Sequence, residues 1–324
     1  MKALITGATG FIGSHLAEEL NKTGYAVSCL VRNRSDLKWL EGMKVTVYEG
    51  DCCDRASLQT VIRGFDYIFH CAGLTKASSI GDFDTVNFRG TENVVSVASE
   101  NNPGLKRFVF LSSLSAFGPA LNGKAPDQTM EPHPVSGYGR SKLKGEAAVL
   151  SYQDSIPFTI LRPSAVYGPR DREFFLVIKM IKSGILPYWG NGSVSLLYID
   201  DLIDCMILAS QKDEAEGRTY FVSDGGDYTN DSIIDAIASA LSTRVFKLKM
   251  PKPILPAIGF FGERISKIMG NTSMVNRDKM EELKYSNWVC GNTEVRDELG
   301  FDPHISFQQG IQWTIDWYRT HKWL

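Results

Sequence analysis

Apolar residues along the first half of the chain alternate between two rhythms, and the alternation predicts a layered α/β fold. Ala3, Leu4 and Ile5 make an apolar run too short for a helix, and it ends at Thr6-Gly7. After Gly10 the period changes, with Ile12, Leu16, Ala17 and Leu20 at helical spacing and Gly24 where a helix stops. Short apolar runs at Val27–Val31, Val45–Tyr48, Asp66–His70, Arg107–Leu111 and Phe158–Leu161 predict five further strands. Helices are predicted from Asp54, an N-cap, to Arg63, over Phe83–Glu100 and over Gly137–Tyr152. Near-continuous apolar strands between helices imply a doubly wound parallel sheet covered on both faces.

Beyond Tyr167 the pattern is irregular. A strand at Val194–Ile199, a helix from Asp200-Asp201, a strand at Arg218–Val222 and a helix after Thr229 are predicted, and Ser306 with Gln309 caps the last helix. The chain thus divides into residues 1–167 and a smaller interwoven unit, 168–324, whose segment 194–222 returns toward the first. The apolar stretch 251–270 carries prolines at 251, 253 and 256 and charges at 263, 264 and 267, so it reads as an amphipathic helix packed on the body, with a pocket lid or membrane-surface contact as the other readings.

Composition narrows the function classes. A net charge of -2 over 324 residues gives no global reason to expect nucleic acid or an anionic membrane as partner. Met1 leads directly into the first strand, leaving no room for a leader, and no apolar run is fit to span a membrane. Cys29, Cys52, Cys53, Cys71, Cys205 and Cys290 lack disulfide or CxxC spacing, which fits a reducing cytoplasm. Five scattered histidines argue against a metal site, and His70 reads as a core histidine rather than a catalyst.

The turn between first strand and first helix, TGATGFIG, carries glycines at 7, 10 and 13. Such a turn bends the chain, lets backbone N–H groups approach a pyrophosphate and presents the positive end of a helix to it. Residues 1–167 are therefore expected to be a Rossmann-type dinucleotide-binding unit, with 168–324 for substrate. The tip of the second strand, Val31-Arg32-Asn33-Arg34-Ser35, has no acid to accept from a ribose 2′-hydroxyl, so Arg32 favours NADP(H) over NAD(H). Asp51, after the third strand, is placed to accept from adenine. Small or polar residues past nearly every strand, Arg162-Pro163 included, are expected to converge on one crevice.

The chemistry concentrates at Tyr138-Gly-Arg-Ser-Lys142, with Ser113 at the end of the fifth strand. Tyr138 and Lys142, four apart on a helix, share a face. An adjacent ammonium lowers a phenol's pKa from about 10, making Tyr138 an acid/base, while a serine hydroxyl bonds the substrate oxygen.

TGATGFIG, GDCCD, HCAG, FLSSLSAFG, YGRSK and LRPSAVYGPRD, in this order, resemble the extended short-chain dehydrogenase/reductase family, also called the NAD-dependent epimerase/dehydratase family. The resemblance covers essentially the whole chain. It implies Ser113, Tyr138 and Lys142 as catalytic residues. Gly7, Thr9, Gly10, Phe11, Ile12, Gly13, Asp51, Cys52, Ala72, Gly73 and Pro163 fall on cofactor positions, with Tyr138 and Lys142 shared. Two departures matter. Ser113 is followed by Leu114-Ser115 rather than the acid pair of the sugar dehydratases. The segment GNGSVSLLYIDD (190–201) lacks the arginine with which sugar-nucleotide members grip a diphosphate, and is closer to members resembling dihydroflavonol reductases and 3β-hydroxysteroid dehydrogenases. Arg170 and Arg172 are left as the other route to a phosphate.

The resulting expectation is an NAD(P)-dependent oxidoreductase acting on a ketone/secondary alcohol pair of a small or moderately apolar molecule. A nucleotide-sugar epimerase with tightly held NAD is the alternative, and a non-catalytic dinucleotide sensor a weaker one. The family's homodimer, paired through the helices near Phe83 and Tyr138, is expected from apolar Val86, Val94, Val95 and Val97 on one and Leu143, Ala147, Ala148 and Leu150 on the other.

Overall fold

The structure, a computed structural model, describes the chain except Arg34, Ser78, Asn122, Gly123, Gln128, Asn191, Pro256, Ile258 and residues 260–276. The 251–270 expectation falls largely outside the described residues; its start is a 3₁₀ turn, Lys252–Ile254, followed by buried Leu255.

The strands are β1 (Lys2–Thr6), β2 (Ala26–Val31), β3 (Val45–Glu49), β4 (Tyr67–His70), β5 (Arg107–Leu111), β6 (Phe158–Pro163), β7 (Ala165–Tyr167), β8 (Ile185–Tyr188), β9 (Ser193–Tyr198), β10 (Arg218–Val222), β11 (Asp227–Thr229), β12 (Phe246–Lys249) and β13 (Asn287–Trp288). A seven-stranded sheet runs β3-β2-β1-β4-β5-β6-β10, every pair parallel. The chain leaves β1 toward one edge and from β4 builds toward the other, so the order reverses between them. In open α/β sheets a ligand crevice opens at the carboxyl ends on that line. Of the returning segment, β10 joins this sheet, while β9 joins β11, β13 and β7 in a small second sheet.

Period-two alternation accounts for the two covered faces. Ala3 and Ile5 of β1 pack with Leu16, Ala17 and Leu20 of α1 (Phe11–Lys22), whereas Leu4 packs on the opposite face with Val94, Val95 and Val97. Each of these side chains is fully buried, and such burial stabilises by roughly 1.5–3 kcal/mol per large aliphatic group. Two expectations need correction here. β3 is an exposed edge strand, with Val47 and Tyr48 open to solvent, because no strand lies beyond it in the sheet. Val94, Val95 and Val97 are spent on the chain's own core, so they are not surplus apolar surface.

The segment after β4 is one continuous rod with a change of winding: α3 (Ile80–Phe83), a π-helical stretch (Asp84–Arg89) and α4 (Gly90–Asn101), preceded by α2 (Arg55–Val61). Ser79 and Asp82 form a capping box, so the helix begins before Phe83. After β5 come α5 (Leu114–Phe117) and α6 (Gly137–Leu150). The second half contributes α7 (Arg172–Lys182), α8 (Ile199–Gln211), α9 (Asn230–Ala240), α10 (Arg277–Leu283), α11 (Thr293–Leu299) and α12 (Phe307–Thr320), the last capped by Ser306. No helix among the described residues is long and apolar enough to cross a membrane.

Candidate active site

The β1–α1 turn is built by close approach. Gly7 has φ +72°, and a Cβ there would lie 2.7 Å from the Ala72 nitrogen; one on Gly13 would lie 2.3 Å from the Gly7 oxygen. Only glycine admits both contacts, so the turn is pressed against the end of β4. Gly10 is the N-cap of α1, Thr9, Phe11 and Ile12 are partly buried around it, and no side chain caps the helix. Its first N–H groups are left for an anion.

Beneath the turn, Thr6 Oγ1 lies 2.7 Å from His70 Nδ1 and accepts from the Ala72 N–H at 3.2 Å. His70 Nε2 lies 2.9 Å from Thr91 Oγ1. Complete burial pushes the imidazole pKa down to about 3, so it is neutral. His70 is a packed core histidine, stacked on Phe110.

At the carboxyl ends of β2 and β3, on the same edge of the sheet as the turn, Arg32, Asn33, Glu49, Gly50, Asp51, Asp54 and Ser57 line an open groove. Arg32 is exposed, and its backbone N–H is held by Ser35. Asn33 donates to Glu49 at 2.9 Å, and Asp51 accepts from the Cys53 N–H at 2.8 Å. The Cys52 side chain is buried in the core, where burial pushes the thiol up to about 12.

Past β5 the Ser113 hydroxyl meets the Tyr138 phenol, and Lys142, one turn along α6, reaches back to the end of β5. Ser113 caps α5, its Oγ accepting from Ser115 N–H at 3.1 Å, and it also hydrogen bonds the Tyr138 phenol. Tyr138 lies in the first turn of α6, its ring 6.0 Å from that of Phe83. Lys142 is buried on the same helix, with Nζ donating to the Leu111 carbonyl at 2.5 Å and standing 4.5 Å over the Phe110 ring. A Cβ on Gly73 would lie 3.2 Å from Asn87 Oδ1 and 3.8 Å from that ammonium, so the loop after β4 runs close against both.

The electrostatics differ from the expectation. Burial lowers Lys142 to about 8 and raises Tyr138 to about 12; the Ser113 hydrogen bond opposes the rise in the phenol. The charges acting on Tyr138 are Glu282 and Glu173, which raise its pKa, and Lys279, which lowers it. Lys142 is engaged by Leu111 instead. The spacing of four residues predicts a shared face, but not which partner the ammonium finds there.

Arg162 is a second correction. It turns away from the crevice, where Nε and Nη2 clamp Glu146 at 3.0 and 2.6 Å between β6 and α6. Ser112 donates to the same carboxylate. Pro163 ends β6 beside Val222. Asp201, Asp204 and His304 also gather, with donor atoms within 4.8 Å, although no paired pattern announced them. The buried Asp201 carboxylate is already occupied by the His304 and Ile305 N–H groups at 3.1 and 3.3 Å.

Several residues in the site have no local signature in the sequence. Asn87, in the π-helical stretch, accepts from Leu74 N–H and donates to the Leu74 carbonyl and to Ser141. It ties the loop after β4 to α6, and π-turns are frequent at functional sites. From α10, Asp278 accepts from the Gly137 and Tyr138 N–H groups. Glu282 accepts from Ser115 and Ser136, the N-cap of α6, and pairs with Lys279 at 3.0 Å.

The sequence profile described as the NAD dependent epimerase/dehydratase family matches residues 3–223. A ceramide reductase of Caulobacter vibrioides is 28% identical, over 99% of this chain and 95% of that protein. A decarboxylating sterol-4-alpha-carboxylate 3-dehydrogenase of Candida albicans is 25% identical, over 97% and 96%. Among solved structures, UDP-glucose 4-epimerase of Thermotoga maritima, crystallised with UDP-glucose, superposes with a TM-score of 0.83 at 20% identity, covering 99% of this chain and all of that one.

Proposed function

The chain belongs to the NAD dependent epimerase/dehydratase family and is an NAD(P)-dependent enzyme of the extended short-chain dehydrogenase/reductase type; we propose that it transfers hydride between nicotinamide and a ketone/secondary alcohol pair on an apolar, lipid-like molecule. The observation that carries the reading is the Ser113–Tyr138 hydrogen bond past β5, with Lys142 one turn along the same helix and next to Gly73. The bound dinucleotide supplies or accepts the hydride. Tyr138 gives its proton to the carbonyl oxygen in reduction and takes it back in oxidation. Ser113 hydrogen bonds that oxygen as its charge changes. Lys142, one short reach from Gly73, holds the nicotinamide ribose. Gly7, Thr9 and Gly10 to Gly13 receive the pyrophosphate, Asp51 the adenine, and Ala72, Gly73 and Pro163 line the floor. Residues 1–167 serve the cofactor and 168–324 the substrate.

Two observations favour an apolar substrate over a sugar nucleotide. Where sugar-nucleotide members hold an arginine, this chain has Val194, half-buried against the core. Arg170 is bound to Glu18 and Ser14 and lies over Trp39, so its charge is not spare for a diphosphate, while exposed Arg172 stands over Trp323. Two of the relatives are named for lipid substrates. Arg32, exposed in its groove without an ion pair among the described residues, supports NADP(H) over NAD(H). The free cysteines fit a cytoplasmic enzyme. Half-buried Leu143 and exposed Ala147 and Leu150 on α6 are what remains for the homodimer, which sedimentation at twice the chain mass would support.

Screening lipid ketones, small ketones and nucleotide sugars with NADPH and NADH tests the reading. Net cofactor oxidation with a lipid ketone supports it. Turnover of a nucleotide sugar without net cofactor change would favour the epimerase.

A further inference from the structure

Strands β8 and β12 form a two-stranded parallel ribbon outside the main sheet, pairing Ile185 with Phe246 and Pro187 with Leu248. Paired residues, and residues two apart along a strand, share a face, so these four side chains tile one side. Leu186, on the other side, is 6% exposed and packs into the core. The tile itself is open, with Phe246 67%, Ile185 57% and Leu248 43% exposed. Met180, near the end of α7, is exposed too. Contiguous apolar surface of this kind marks an interaction site.

Charge says what the site meets. Residues 174–190 and 241–252 hold Lys179, Lys182, Arg244, Lys247, Lys249 and Lys252 and not one acid, in a chain of net charge -2. Lys247 faces the other side, where it pairs with Asp231 and Asp235, and Lys252 bonds to Lys284 and Ser286. Lys179, Lys182 and Arg244 are exposed and have no ion pair among the described residues, while Lys249, two residues beyond Lys247, shares its side. Two copies of this face would bring like charges together, which disfavours self-association through it.

We infer that this cation-rimmed apolar face docks the enzyme on the surface of an anionic lipid bilayer. Phe246, Leu248 and Ile185 enter the boundary between headgroups and acyl chains, and the rim cations meet anionic headgroups. Each such cation adds about fivefold to partitioning. α7 links the face to the crevice: Glu173, at its start, bonds Thr75 and Lys76 beside the loop after β4, and Lys182, at its end, precedes the ribbon. Its 11 residues span about 16 Å, so the bilayer surface lies about one helix length from the crevice mouth. The docking goes beyond the proposed reaction and holds whichever substrate is turned over.

The test is co-flotation with vesicles of phosphatidylcholine containing about one-third phosphatidylglycerol, against phosphatidylcholine alone, at low and high salt. The wild type is expected to float with the anionic vesicles at low salt and to be released by high salt. Phe246→Ser/Leu248→Ser and, separately, Lys182→Glu/Arg244→Glu are expected to lower partitioning by at least about tenfold. NADPH binding and thermal midpoint check that both variants are folded, and both are expected to match the wild type. A wild type that stays in solution with anionic vesicles overturns the inference, as does partitioning unchanged in both variants. Loss of a wild-type dimer in the apolar variant, without vesicle binding, would make the face a self-interface and overturns it too. Failure of the wild type to bind NADPH would count against the proposed reaction and leave the vesicle result standing.

Discussion

Asp278 and Tyr138 are 140 positions apart, yet the Asp278 carboxylate accepts the Tyr138 backbone N–H at 3.0 Å and bonds that of Gly137 as well. An acid from α10 thereby caps the helix that carries the phenol, at the end where negative charge is favoured. Asp278→Ala is expected to cost about 1 kcal/mol of stability and to lower kcat more than it weakens NADPH binding. Denaturant titration, kinetics and cofactor titration on one preparation check it; an unchanged kcat would leave the cap purely structural.

Glu146 lies under the same helix, clamped by Arg162 and bonded to Ser112. Glu146→Gln leaves a buried guanidinium unpaired and is expected to destabilise by about 3–5 kcal/mol. Replacing Glu146 and Arg162 together by methionine is expected to recover much of the loss, since two apolar groups leave no buried charge. Urea midpoints for both variants decide the matter.

Stability should fall on the acid side. Burial pushes His70 down to about 3 and His15 to about 4, both from 6.5. Each folded-state pKa lies below its unfolded value, so unfolding takes up protons. The stabilisation is complete above 6.5 and is lost as pH falls toward 4 for His15 and toward 3 for His70, by at most about 2.7 kcal/mol per pH unit for the two groups together. Asp171, raised by burial to about 7, opposes this by at most about 1.4 kcal/mol per pH unit, so thermal midpoints are expected to drop only modestly from pH 7 to pH 5. His70→Asn should be less stable at pH 7 but show a shallower drop; parallel curves would remove His70 from the account.

Arg32 should decide cofactor choice. Wild type is expected to bind NADPH more tightly than NADH. Arg32→Asp should reverse the order, because a carboxylate repels the 2′-phosphate and accepts from the free hydroxyls, swinging the ratio by at least about tenfold. Calorimetric titration of both cofactors against both proteins measures it. Equal affinities in the wild type would leave Arg32 as a solvated turn residue.

What was legible in the sequence was local. The glycine turn, the parallel strands and the Tyr138–Lys142 spacing each depend on residues close in the chain, and a short window displays them. What was hidden depends on contacts between distant segments. Asn87 reaches Ser141 across 54 positions, Ser136 reaches Glu282 across 146, and a buried arginine at a strand end reads like a crevice residue until Glu146 is seen beneath it. Burial was the other hidden quantity. It sets Tyr138 above its ordinary value, where spacing alone predicted the reverse.

Tyr138 carries the proposed chemistry, and the decisive measurement is transfer of deuterium from 4,4-dideuterated NADPH to a ketone found in the substrate screen. Wild type should place deuterium on the carbinol carbon, one per cofactor oxidised. Tyr138→Phe should lower that rate by about 10²–10⁴-fold while binding NADPH nearly as well. A Tyr138→Phe enzyme that keeps most of the rate, or a wild type whose product carries no deuterium, would contradict the assignment.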